Sequence, residues 1–233
     1  METQDGFILG VYNYCDRWCE RCQLTGRCRV FAEEQRLSFE MQVSTSASAA
    51  PPLRSLGALA AALEETIPDA PGSPPDWMPD RTHWPELSAS EADLHTRVTE
   101  LGRRLRDWLV PEACAEDPMV RDAAEVLQHF GFYIGPKVYR ALKGRERCEE
   151  DGLRSDALGS AKAAMVAFDR LGEAWLRLAE RGAISVLEAA PVLSQLQALT
   201  LEIEAIFPRA RSFVRPGFDE PEALAMLEWR ERG

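Results

Sequence analysis

The sequence predicts an all-α protein: an antiparallel four-helix-bundle-like domain preceded by a small N-terminal cysteine-rich metal module. Three observations carry this prediction. After Ser88, apolar residues recur every three to four positions in four long segments separated by short breaks. No convincing alternation of apolar and polar residues competes; Phe7, Ile8, Leu9, Val11 and Tyr12 make the one fair strand candidate, and it is short. Four of the six cysteines fall at positions 15, 19, 22 and 28.

In chain order, residues 1–46 form the cysteine-rich module, in which residues 31–36 read as a helical turn or two. A linker spans residues 47–88. It begins in the low-complexity stretch STSASAAPP. Leu53, Leu56, Leu59, Leu63 and Ile67 then predict a short helix over about 53–66. Six prolines over residues 68–88 predict an extended loop, and Trp77, Met78 and Trp84 within it predict that it packs against something.

The bundle occupies residues 89–220, with a tail at 221–233. Ser88 and Ser90 are candidate N-caps for the first segment, whose apolar face holds Leu94, Val98, Leu101, Leu105 and Trp108. Pro111 breaks it. The second segment runs from Pro118 to Gly144 with Val120, Ala123, Leu127, Phe130, Ile134, Val138 and Ala141 on one face, and Gly135-Pro136 predicts a kink or break inside it. The third runs over about 150–181, with Ala157, Ala161, Ala164, Phe168, Trp175 and Leu178 facing inward. The fourth covers about 186–207, with Leu193, Leu196, Leu199, Ile203 and Ile206. Pro191 falls near its start, where proline is tolerated, and Pro208 ends it.

At 233 residues, 45% hydrophobic and 28% charged, the composition is that of an ordinary globular chain. A net charge of -11 argues against general binding to nucleic acid or anionic membrane, both polyanions. METQDGFILG lacks the basic region and apolar run of a secretory signal, and no stretch approaches the roughly 20 apolar residues of a membrane span. The expectation is a cytoplasmic protein. Thiols are kept reduced there, so the cysteines do not read as a disulfide framework.

Cys15, Cys19, Cys22 and Cys28 read as one four-thiolate site. If residues 15–22 were helical, the first three would share a narrow face, and Thr25-Gly26 supplies a turn to bring Cys28 back. Tetrahedral Zn2+ takes four such ligands, and a [4Fe–4S] cluster takes four thiolates around a larger cuboid. Zinc sites usually come as two separated Cys-x2-Cys pairs, whereas a contiguous run favours the cluster, so [4Fe–4S] is preferred and zinc is the alternative. Arg17, Arg21, Arg27 and Arg29 flank the cysteines and are candidates to compensate an anionic centre around the ligands. A set of plain thiols is the competing reading.

The opening Cys-x3-Cys-x2-Cys also resembles the signature of radical S-adenosylmethionine enzymes. It departs from it in three ways. A fourth cysteine would fill the iron that must stay open, Arg21 stands where an aromatic is usual, and no βα-barrel pattern follows. YNYCDRWCERC at 12–22, SDALGSAKAAMVAFDR at 155–170 and FVRPGFDE at 213–220 resemble a group of bacterial proteins of uncharacterised function. That resemblance covers most of the chain and implies the cysteine cluster and a helical C-terminal region, with no activity attached.

Other polar groups read more plainly. Glu125 with His129 and Glu91 with His95 each share a helix face, but Glu-x3-His is not the di-iron spacing; flank pairs are expected. Lys162, Asp169 and Glu173 form a solvated stripe. Asp156, Gly159 and Ser160 interrupt the third helix, through close packing or a pocket. Cys114 and Cys148 read as ordinary thiols, and residues 213–218 as a segment docking aromatics on the bundle. Three functions remain open: a metal-binding, iron–sulfur accessory or redox protein; a protein-partner-binding bundle stapled by zinc; or an enzyme with a pocket between helices.

Overall fold

The computed structural model describes residues 3–47, 86–145 and 151–219. The expected helix over 53–66, nearly all of the proline-rich loop with Trp77, Met78 and Trp84, Cys148 and the tail lie outside them. The chain divides into two compact units, residues 1–29 with 85–233, and Val30–Trp84. The cysteines therefore belong to the same unit as the long helices, and the spatial boundary within residues 1–46 falls after Arg29.

The chain is all-α. Among the described residues, β1 (Thr3–Gln4) and β2 (Phe7–Ile8) form a minimal antiparallel hairpin, with Thr3 opposite Ile8. Asp5 and Gly6 between them take φ of 52° and 85°, as a two-residue Asp-Gly hairpin turn demands. The strand expected over 7–12 is thus realised at Phe7 and Ile8 only, because Val11–Tyr14 is a helical turn, α1. Helix α2 spans Arg29–Ala47, far beyond the turn or two expected at 31–36. Its residues from Ala32 to Phe39 are exposed. No apolar stripe marked it; Ala, Glu, Gln, Arg, Leu and Met simply favour helix.

Helices α3 (Ala89–Arg106), α4 (Pro118–Arg145), α5 (Asp151–Glu180) and α6 (Val186–Ile206) match the four periodic segments. Ser88, and not Ser90, is the N-cap of α3: its hydroxyl accepts from the Glu91 N–H while the Glu91 carboxylate accepts from the Ser88 N–H. Ser185 and Glu188 form the same box on α6. The expected inward residues of α3, α4 and α5 are buried, Trp108 partly; on α6, Leu196, Leu199 and Ile203 are buried, while Leu193 and Ile206 are half-buried.

Helix α4 runs unbroken through Gly135-Pro136, so of the expected kink or break the break does not occur. Pro136 removes the N–H that would reach the Phe132 carbonyl, but both residues lie on the exposed face, where water can take that carbonyl. Consecutive long helices pack on one another, α3 on α4, α4 on α5 and α5 on α6. The α3–α4 crossing is backbone against backbone: a Cβ built on Gly102 would stand 2.3 Å from the Gly131 carbonyl oxygen. Arg97 on α3 grips Glu202 on α6 with two bonds of 2.7 and 2.8 Å.

Helix α1 packs on α5. At Gly159 a Cβ would lie 2.3 Å from the Tyr14 ring and 2.9 Å from that of Phe213. Phe213 meets Tyr14 edge-on at 5.0 Å. Further along, Gly217 is set among Ile8, Val11 and Leu24. The segment after α6 thus packs against the N-terminal hairpin, α1 and Leu24 of the cysteine loop. No helix among the described residues is long and apolar enough to cross a membrane.

Candidate metal centre

Residues 15–22 do not form an α-helix. Helix α1 stops at Tyr14 and Cys15 is extended, with φ -74° and ψ 165°. Arg17 takes a left-handed φ of 62°, an uncommon conformation for a side chain with a Cβ. The expected helical face of Cys15, Cys19 and Cys22 therefore does not exist. Asp16 makes the corner instead: its carboxylate accepts the Trp18 N–H at 3.1 Å and Arg170 of α5 at 3.0 Å. An Asp side chain bonded two residues on is a turn in its own right.

Two similar turns follow. Cys19–Arg21 is a 3-10 turn whose exit residue Cys22 donates its N–H to the Cys19 carbonyl at 3.2 Å. Thr25–Arg27 is another, whose exit residue Cys28 donates to the Thr25 carbonyl, also at 3.2 Å. Each turn ends in Arg-Cys, with the cysteine extended. The Leu24 N–H donates to Cys22 Sγ at 3.4 Å, a contact that favours a thiolate. Cys15 Sγ lies 3.5 Å from the Tyr12 carbonyl, which accepts from it. All four cysteines are half-buried, and no disulfide joins the five described cysteines.

Burial pushes the Cys15 thiol up from its ordinary value, against the Arg17 N–H and the charges of Arg17 and Lys137. Burial also raises Cys22, opposed by the Leu24 N–H and reinforced by the negative charges of Asp16, Cys15 and Cys28. Cys15, Cys22 and Cys28 are therefore within electrostatic reach of one another. They do not converge further: among the described residues no three His, Cys, Asp or Glu side chains stand ready to hold a metal ion.

What fixes the loop is a row of side chains on α4 at positions i, i+4 and i+8. His129 Nε2 lies 2.8 Å from the Asp16 carbonyl, which can only accept, so this nitrogen carries the proton. The Tyr133 hydroxyl donates to the Cys15 carbonyl at 2.6 Å, and Lys137 Nζ donates to the Asn13 carbonyl at 2.8 Å. His129 is also stacked on Trp18, with ring centroids 4.5 Å apart. Burial raises the Tyr133 phenol well above its usual range and pushes the Lys137 ammonium down to about 8. Tyr133 and Lys137 were not legible as polar contacts in the sequence, where they fall among the apolar residues of α4.

The four arginines have different fates. The Arg21 guanidinium stands 4.0 Å over the Trp18 ring and pairs with Asp122 and Glu125 of α4, so it faces the helix rather than the sulfurs. Arg17 acts on Cys15 through its N–H and its charge. Arg27 is half-buried and Arg29 exposed.

Glu125 and His129 serve two different residues of the loop and do not meet as ligands. Glu91 pairs with Arg145 at 2.8 Å, while His95 lies against Thr99 and Tyr139. Asp156 holds Arg140 with bonds of 2.6 and 2.9 Å. Lys162 donates to the Arg211 carbonyl, and Asp169 lies 3.7 Å from Arg211. Cys114 closes a short turn and packs partly buried against the core. No family model, curated protein or solved structure matches the chain.

Proposed function

We propose that this is a metal-binding protein in which Cys15, Cys19, Cys22 and Cys28 carry a [4Fe–4S] cluster, with Zn2+ as the alternative, on a loop docked against a four-helix bundle. The supporting observation is the row His129, Tyr133 and Lys137, which binds the backbone of the loop by its carbonyls and leaves the sulfurs to other work. The N–H bond onto Cys22 Sγ and the paired Arg-Cys turns fit a thiolate set. Because no three ligands are preassembled among the described residues, binding on this reading requires the cysteine side chains to move together. Arg97 to Glu202, with the packing of consecutive helices, supports the bundle reading by joining α3 to α6.

Four thiolates leave no open coordination position, so the centre supplies electron transfer or a staple rather than metal-centred catalysis. On this reading the protein is a cytoplasmic bacterial accessory or redox protein, with a protein partner for the electron; the zinc alternative makes the same loop a structural staple in an interaction protein. Anaerobic purification followed by metal analysis tests it. Brown protein with about four irons per chain supports the cluster; colourless protein with one zinc selects the alternative; metal-free protein overturns both. Cys22→Ser is expected to lose the metal, and full metal content in that variant would remove Cys22 from the ligand set.

A further inference from the structure

The face of α4 that clamps the loop also walls an open cleft of about 730 Å3, lined on the loop side by Arg17 and Trp18. That is within the size range of small-molecule sites. Three cations line it, Arg17, Lys137 and Arg140, in a chain whose net charge is -11. The acidic residue in the lining, Glu125, is matched by Arg21, and Arg140 is matched by Asp156. Arg17 and Lys137 are left to set the sign of the cleft. An ammonium has three donors, of which the Asn13 carbonyl takes one from Lys137.

Part of the remaining wall is apolar. Phe132 and Pro136 stand side by side on α4, and Phe132 is 69% exposed. An aromatic ring held open to solvent beside two cations is a flat surface with an anion-binding edge. Arg17 adds a second sign. It keeps a long cationic side chain at a left-handed backbone position that suits glycine better.

We propose that this cleft binds a small organic oxyanion, its carboxylate or phosphate held by Arg17 and Lys137 and its flat apolar ring lying on Phe132 and Pro136. None of the cysteines lines the cleft, although Arg17 and Lys137 also act on Cys15 through their charge.

Calorimetric titration of the full chain with benzoate, phenyl phosphate and benzyl alcohol tests this, the first two distinguishing the anionic groups. At least one anion is expected to bind about tenfold or more tighter than the neutral alcohol, in line with a charge-assisted hydrogen bond. Arg17→Gly suits the local backbone, so it removes the guanidinium without straining the fold. It is expected to weaken that anion about tenfold while leaving the alcohol unchanged. Phe132→Ala, at an exposed position, is expected to weaken the ring-bearing anion but not inorganic phosphate. Equal binding of anions and alcohol, no binding of either anion, or an Arg17→Gly variant that binds like the parent overturns the proposal.

Discussion

The hydroxyl of Tyr133 donates to the carbonyl of Cys15 at 2.6 Å, across 118 residues of sequence. One phenol thus ties the first proposed ligand to the middle of α4. Tyr133→Phe keeps the ring and leaves a shielded carbonyl without its donor. A loss of about 1–2 kcal/mol in urea denaturation is expected, with faster surrender of metal to a chelator. Unchanged stability and unchanged chelation would show that the bond holds nothing.

Gly159 tests the docking of the N-terminal helix turn on α5. A methyl group there would meet the Tyr14 ring at 2.3 Å and Phe213 at 2.9 Å, and both rings would have to move. Gly159→Ala is expected to destabilise the protein by about 1–3 kcal/mol despite the better helix propensity of alanine. Gly172, also in α5, has nothing within 4 Å of its Cβ direction, so Gly172→Ala serves as the matched control and is expected to be neutral or stabilising.

Lys137 gives a pH dependence with a definite sign. Its ammonium titrates at about 8, against 10.5 in an unstructured chain, because it is buried. Below about 8 folded and unfolded chains both carry the proton, and the cost of burying the charge is fully present. Between about 8 and 10.5 the unfolded chain keeps the proton that the folded chain has released, so stability rises with pH through that window. Relative to Lys137→Met, the parent is expected to gain stability on the order of 3 kcal/mol at most over the window. Parallel stability curves for the two proteins would contradict the burial of this amine.

Arg21 serves the clamp and not the sulfurs. Its pairs with Asp122 and Glu125 are exposed, and such pairs contribute little in water. Arg21→Ala is expected to cost about 0.5–1.5 kcal/mol, counting its contact with Trp18, and less as salt is raised. Metal content should be unchanged; folded protein with metal missing would put the guanidinium back among the ligand-supporting groups.

Residues such as Val120, Leu127, Ile134 and Val138 announced α4 because a helix that buries one face repeats every three to four positions. Helix α2 escaped because its exposed surface carries no such stripe. The close spacing of the cysteines is plain in the sequence, but the helix that would align the first three is not formed. Cys15, Cys19 and Cys22 keep helical spacing, but Arg17 at φ 62° and the Asp16 turn break the helix between them. Backbone direction at a non-glycine residue leaves no mark in composition. The clamp was hidden for a different reason. Tyr133 and Lys137 share the buried side of α4 with apolar residues, and their partners are carbonyls, which every residue possesses.

That last property has a practical side. His129, Tyr133 and Lys137 each bond a main-chain oxygen, so those three hydrogen bonds are indifferent to which amino acids stand there, and only the stacking of His129 on Trp18 reads a side chain. Cysteine-to-serine exchanges at positions 15, 19, 22 and 28 should follow the same track across α4 as the parent chain. If the cysteines are the ligands proposed above, the scaffold and the ligand set can be edited independently, and the loop becomes a socket into which other ligand sets can be written.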